Sequence, residues 1–303
     1  MKNKILVCGS GLVGSTITST IKPISGKLDL DLRNFNDTLN YFKKVSPDVI
    51  VHAAAKVGGV KANTDFIADF YRDNITINTN VLEAARLVGV KKVISFLSTC
   101  IYPNKVQYPL KEEYLHLGEP HESNFGYAYA KRMLEVHSRA ISCQYGLNYS
   151  CVVPTNIYGP NDNFNLETSH VLPGLIHKCY LAKKNNTDFV VWGSGKPLRE
   201  FIYSKDVGRI IDLLISKDLQ FDSVILSPSE EISIAEVANI IAKCFNFTGR
   251  IIYDASMPEG QHRKPTSNKK LLNLIGDFKF TPITEGIEST VDWFLENYET
   301  CRK

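Results

Sequence analysis

Tyr127 and Lys131 stand four residues apart in Tyr127-Ala128-Tyr129-Ala130-Lys131, a stretch with helical patterning. That spacing puts both side chains on one helix face. An ammonium beside a phenol favours the tyrosinate, so Lys131 is expected to lower the Tyr127 pKa from about 10. The phenol would then exchange a proton with a carbonyl or alcohol near neutral pH. Lys131 could also reach a nicotinamide ribose. Ser98 closes an apolar run at 92–98, at the strand end where α/β sheets place their sites, and could hold the same substrate oxygen. A second device lies at the start of the chain. Gly9-Ser10-Gly11-Leu12-Val13-Gly14 follows a strand-like run at 5–8. The first glycine suits a tight turn, the second lets the backbone approach a pyrophosphate, and the third lets helix and strand pack closely. Together these residues would suit hydride and proton exchange between a bound nicotinamide dinucleotide and a carbonyl or alcohol.

The elements that must position these groups alternate. Strand-like runs at 5–8, 49–55, 92–98 and 148–153 interleave with helical patterns at 12–21, 38–44, 73–88 and 126–145. Alternation of this kind specifies right-handed βαβ units and a parallel sheet covered on both faces. The expected fold is α/β: a Rossmann-type doubly wound parallel sheet with a smaller mixed α/β C-terminal substrate domain. The dinucleotide-binding domain is expected over 1–163, with 200–216 returning to it, and the nucleotide-sugar domain over 164–303. In the second part, helices are expected at 171–183, 204–216, 233–246 and 287–298, with strand segments at 189–195, 224–226 and 250–253. Little room remains for a second strand between residues 21 and 28, and 31–33 reads as the end of a third. Asp29 and Asp31 lie about 20 residues past the glycines, where an acid would hold a ribose diol. Lys27 suits a 2′-phosphate and a solvated loop equally well.

Composition excludes other classes. With 303 residues and 44% hydrophobic content the chain can bury a substantial core. A net charge of +3, with scattered Lys and Arg, argues against a dedicated nucleic-acid or membrane-surface protein. No apolar run approaches a membrane span, and the opening residues run straight into a strand-like segment with no signal peptide. Seven cysteines without a C-x-x-C pair imply no disulfide framework, no metal and a cytoplasmic setting. The 73–88 helix is too apolar for one wet side and reads as a homodimer face shared with 126–145.

Four segments are more specific: Ala53-Ala54-Ala55-Lys56-Val57-Gly58-Gly59, Ser98-Thr99-Cys100-Ile101-Tyr102-Pro103, Pro154-Thr155-Asn156-Ile157-Tyr158-Gly159-Pro160-Asn161-Asp162-Asn163-Phe164 and Val191-Trp192-Gly193-Ser194-Gly195. With them the chain resembles the GDP-L-fucose synthase family, the epimerase-reductases of the extended short-chain class, along essentially its whole length. The resemblance implies GDP-4-keto-6-deoxy-D-mannose as substrate, inverted at C3 and C5 and then reduced at C4 with NADPH. It implies Cys100 and His170 as the acid/base pair, Cys100 as base and His170 as acid, beside Ser98, Tyr127 and Lys131. It implies cofactor contacts at Gly9, Ser10, Gly11, Leu12, Val13, Gly14, Lys27, Asp31, Leu97, Ser98, Lys131, Pro154, Asn156, Ile157 and His170. It implies substrate contacts at Lys178, Trp192, Arg199, Glu259 and Lys264. Two departures touch the adenosine end: the glycine turn is one residue shorter than the family's G-x-x-G-x-x-G, and the second-strand region is reduced. NADH therefore stands as the alternative cofactor. Another nucleotide-sugar 4-epimerase or reductase is the alternative enzyme, although a 4-epimerase has no evident use for Cys100 and His170. A 4,6-dehydratase would place Asp-Glu after Thr99, where this chain has Cys100-Ile101.

Overall fold

The computed structural model describes residues 3–26, 29–219, 222–257 and 261–303. In chain order the elements are β1 (Ile5–Cys8), α1 (Phe35–Val45), β2 (Val49–His52), α2 (Val60–Asp65), α3 (Ile67–Leu87), β3 (Lys92–Phe96), α4 (Phe125–Tyr145), β4 (Asn148–Pro154) and β5 (Asn156–Tyr158). They continue with α5 (Val171–Asn185), β6 (Phe189–Trp192), β7 (Leu198–Tyr203), α6 (Ser204–Ile215), β8 (Ser223–Leu226), β9 (Glu231–Ser233), α7 (Ile234–Cys244), β10 (Ile251–Asp254), α8 (Lys269–Ile275) and α9 (Ile283–Glu296). No helix among the described residues is long and apolar enough to cross a membrane.

A five-stranded parallel sheet runs β1-β2-β3-β4-β8. Its strands are short apolar runs buried on both faces, as parallel sheets require. Leu6, Ile50, Val93 and Val153 face one way and pack with Phe42 of α1, Leu82 of α3 and Leu134 of α4. Val7, Val51, Ile94 and Val152 face the other way and meet Val207 and Ile211 of α6 and Leu271 of α8. The sheet is thus doubly wound. A second core, built on Phe164, Phe189, Val237 and Phe294, joins α5, α7 and α9 beside the parallel pair β6–β10. A three-stranded sheet, β5-β7-β9, lies at the active-site end.

Three expectations change here. The 12–21 helix is a single 3-10 turn at Gly14–Thr16. Most of its residues are β-branched or hydroxylic, and the hydroxyls compete for backbone and side-chain partners. Thr16 Oγ1 donates to the Val13 carbonyl at 2.7 Å, Ser19 Oγ to the Ile5 carbonyl at 2.8 Å and Thr18 Oγ1 to Asp212 at 2.6 Å. In keeping with the little room expected for a second strand, the described residues there hold one parallel bridge, Cys8 to Ile24. Residues 31–33 are not a strand end. They form the turn that starts α1, whose Asn34 side chain caps the Asp37 N–H at 3.2 Å. The large sheet also reaches further along the chain than the expected 1–163 and 200–216: β8 pairs with β4, and α8 packs on the same face as α6.

Candidate active site

The loops at the carboxyl ends of β1–β4 and the inner faces of α4, α5 and β6–β7 enclose one cleft of about 1820 Å³. All the residues expected to act on cofactor or substrate line it, except Lys27 and Glu259, which lie outside the described residues.

The glycine turn is fixed by its own packing. Gly9 has φ +110, and a Cβ there would lie 2.9 Å from the Ala54 nitrogen. A Cβ at Gly14 would lie 1.7 Å from the Gly9 carbonyl oxygen. One at Gly11 would meet nothing within 4 Å, so that glycine leaves room in the cleft rather than in the protein. Gly14→Ala should therefore destabilise the fold by about 1–3 kcal/mol through overpacking. Gly11→Ala should keep thermal stability and weaken dinucleotide binding. Denaturant unfolding and calorimetric titration of the two variants separate these effects.

β3 ends at Phe96 and delivers Leu97 and Ser98 to the floor of the cleft. Ser98 caps the 3-10 turn Thr99–Ile101, and its Oγ accepts from the Cys100 N–H at 3.3 Å. Burial pushes the Cys100 thiol up; the Ser98 hydrogen bond and the charges of Lys264 and Lys131 oppose it. The first turns of α4 supply Tyr127 and Lys131. The Lys131 ammonium donates to the Phe96 carbonyl at 2.7 Å and lies 6.0 Å from the centre of the Tyr127 ring. The expected lowering of the phenol is not found. Tyr127 meets Phe70 edge-on, and burial pushes its pKa well above the usual phenol range, with Cys100 adding to the rise. Burial also pulls Lys131 down to about 8.

His170 precedes α5 and opens onto the cleft. The walls around it hold its imidazole below the usual histidine range, and the Arg302 charge adds to this. The loop that carries it is braced. Asn165 Oδ1 accepts from the N–H groups of Glu167 and Thr168, each at 3.0 Å, and Thr168's carbonyl accepts from the Gly59 N–H at 2.9 Å. The Ala53–Gly59 segment is itself clamped to α3, through reciprocal 3.0 Å hydrogen bonds between Lys56's backbone and the Asn74 side chain. At rest, then, the thiol is pushed up and the imidazole down, opposite to the states expected of a base and an acid.

Three cations, Lys178, Arg199 and Lys264, also line the cleft. Lys178 Nζ lies 3.8 Å above the Trp192 ring, and burial pulls its pKa down to about 8. Lys264 is lowered by burial, favoured in its charged form by Cys100 and disfavoured by Arg199, which puts it within electrostatic reach of both the thiol and the second cation. Asn156 donates to the Glu200 carbonyl at 2.8 Å.

Two acids on the cleft wall were not assigned from the sequence. Glu200 is buried, and its carboxylate accepts from the Thr266 N–H at 2.9 Å and from Ser227 Oγ at 2.8 Å. It ties the strand bearing Arg199 to the segment bearing Lys264. Asp162 is buried with Oδ2 unpartnered, and burial pushes its carboxyl up to about 7. Asp162 stands inside the 154–164 motif and Glu200 beside Arg199, but the partners of Glu200 are 27 and 66 residues away and carry no local signal.

Residues 5–225 match the NAD dependent epimerase/dehydratase family. The chain is 46% identical to a GDP-L-fucose synthase of Dictyostelium discoideum, over 100% of this chain and 98% of that one. It is 41% identical to a probable GDP-L-fucose synthase of Drosophila melanogaster, over the full length of both. A crystal structure of a GDP-L-fucose synthetase from Naegleria fowleri bound to NADP superposes with a TM-score of 0.92 at 46% identity, covering 99% of this chain and 94% of that one.

Proposed function

The chain belongs to the GDP-L-fucose synthase members of the NAD dependent epimerase/dehydratase family, and from that premise we propose that it converts GDP-4-keto-6-deoxy-D-mannose to GDP-L-fucose with NADPH. The chain is an NADP-dependent enzyme of that family. The observation that carries the substrate reading is the meeting, in one cleft, of two chemical sets. Ser98, Tyr127 and Lys131 suit ketone reduction, Cys100 and His170 suit inversion at carbon, and the cations Lys178, Arg199 and Lys264 line the same cleft.

The residues present fit a dinucleotide. Gly11 leaves space beside the turn, and Lys131 uses one of its three donors on Phe96, with the others open to a ribose hydroxyl. Bound NADPH supplies the hydride. A C4 ketone acidifies the C–H bonds at C3 and C5. In our reading Cys100, once ionised, takes the proton from one carbon and His170, once charged, returns one to its opposite face; the thiol then sheds its proton to solvent and the imidazole regains one before the second carbon is inverted. Lys264 and Lys131 favour the thiolate. Ser98 and Tyr127 hold the enolate oxygen. When hydride reaches C4, Tyr127 gives its proton to the oxygen. Lys178, Arg199 and Lys264 take the diphosphate, arginine through its fork, and the Trp192 face takes guanine or sugar.

Apolar side chains left exposed along α3 and α4, among them Tyr71, Leu87, Met133 and Tyr145, support a homodimer through these helices, which a mass of two chains by light scattering would establish. The function is tested by giving the protein GDP-4-keto-6-deoxy-D-mannose and NADPH. Production of GDP-L-fucose, identified by NMR, supports it. A sugar reduced at C4 without inversion at C3 and C5 refutes the epimerase half, and no consumption refutes both.

A further inference from the structure

We propose that Arg33 reads the 2′-phosphate of NADP in this chain, from the corner that leads into α1; the proposal rests on the NADP dependence above. In a dinucleotide fold the adenosine ribose meets the end of the second strand, where a free acid takes the diol or an arginine takes the 2′-phosphate. Among the described residues a single bridge at Ile24 stands in place of that strand. Among them too, the corner of Asp31, Leu32 and Arg33 lines the cleft together with Ser25, Gly26 and the glycine turn.

That corner is built rather than loose. The Asp31 carboxylate accepts from the Arg33 N–H at 3.0 Å and from Arg33 Nε and Nη2 at 3.0 and 2.8 Å. From α3, Asn80 Nδ2 donates to the carbonyls of Leu32 and Arg33 at 3.0 and 2.9 Å. The Asp31 carboxylate is thus committed to the guanidinium and held below its usual pKa by it, so it is a poor acceptor for a ribose diol. The guanidinium keeps donors to spare. Its Nη1 stands 3.7 Å from Asp73, beyond hydrogen-bonding length. Asp73 is already satisfied by Lys56 at 2.9 Å and by Arg72 at 2.9 Å. Arg33 is therefore not needed to neutralise the buried acid, and half its side chain is exposed. A planar fork held by its own carboxylate at the rim of the cleft suits a phosphate dianion, which takes charge-assisted, paired hydrogen bonds.

The test is equilibrium binding by calorimetry on the full chain, with NADP+ against NAD+ and the fragments 2′,5′-ADP against AMP. Arg33→Ala should weaken NADP+ and 2′,5′-ADP by about tenfold or more, the loss of one charge-assisted contact. Affinity for NAD+ and AMP should not fall, since Asp31 is then released. Arg33→Lys should recover part of the loss. Unchanged NADP+/NAD+ discrimination in Arg33→Ala would overturn the proposal, as would a loss of discrimination seen in Lys27→Ala alone. A wild-type protein that binds neither NADP+ nor 2′,5′-ADP would overturn the NADP reading, and this proposal with it, a result distinct from the other two.

Discussion

Tyr127→Phe is expected to bind NADP+ as the wild type does and to reduce the C4 ketone about 10²–10⁴-fold more slowly, the usual worth of a positioned proton donor. The variant removes one hydroxyl from a ring that keeps its edge contact with Phe70, so stability should change by less than about 1 kcal/mol. What it removes is the proton. Hydride addition leaves an alkoxide, and the site must neutralise it without water. Burial holds the Tyr127 phenol in its protonated form, which is the form that can donate. The Lys131 ammonium is bonded to the Phe96 carbonyl, 6.0 Å from the Tyr127 ring centre, with its remaining donors assigned to the ribose. Ser98 can still hold the oxygen, so solvent exchange at C3 and C5 should outlast reduction. Single-turnover oxidation of bound NADPH measures the first effect and deuterium uptake the second. Reduction at the wild-type rate would remove Tyr127 from the proton-donor role.

The same residue shows where reading from sequence stops. The i, i+4 spacing of Tyr127 and Lys131 is local and holds on α4. The direction of the phenol's pKa is not local: it depends on Phe70, on Cys100 and on a lysine drawn away by a carbonyl at the end of β3. The alternation of strands and helices was legible because each run carries its own periodicity. The 12–21 segment misled because it has helical spacing but hydroxyls with better partners on β1 and α6. β7 and β9 were not foreseen as strands, and β8 was placed in the wrong part of the chain's architecture, since sheet membership is a pairing between distant residues. Among the site residues, Ser98 and Cys100 stand in one compact motif and His170 in none, and all three line one cleft. Glu200 and Asp162 stood in plain view in the sequence, but what distinguishes them is burial and the identity of remote partners.

Cys100→Ser is expected to lower deuterium incorporation at C3 and C5 by about 10²–10⁴-fold while ketone reduction continues, giving a sugar reduced at C4 with both centres uninverted. Serine keeps nearly the volume of cysteine, so the 3-10 turn capped by Ser98 should survive. Its hydroxyl cannot ionise at neutral pH, and proton abstraction fails. The pH profile then decides which partner is the base. Burial raises the Cys100 thiol, so the thiolate fraction at neutral pH is smaller than for a free cysteine, and exchange should still be climbing with pH above the ordinary thiol range near 8.5. His170 is lowered. If its imidazole were the base, it would already be neutral and exchange would be flat above about pH 7. A climbing profile that vanishes in Cys100→Ser supports Cys100 as base. A flat profile that survives the substitution would reverse the two roles and make the thiol, protonated at rest, the acid.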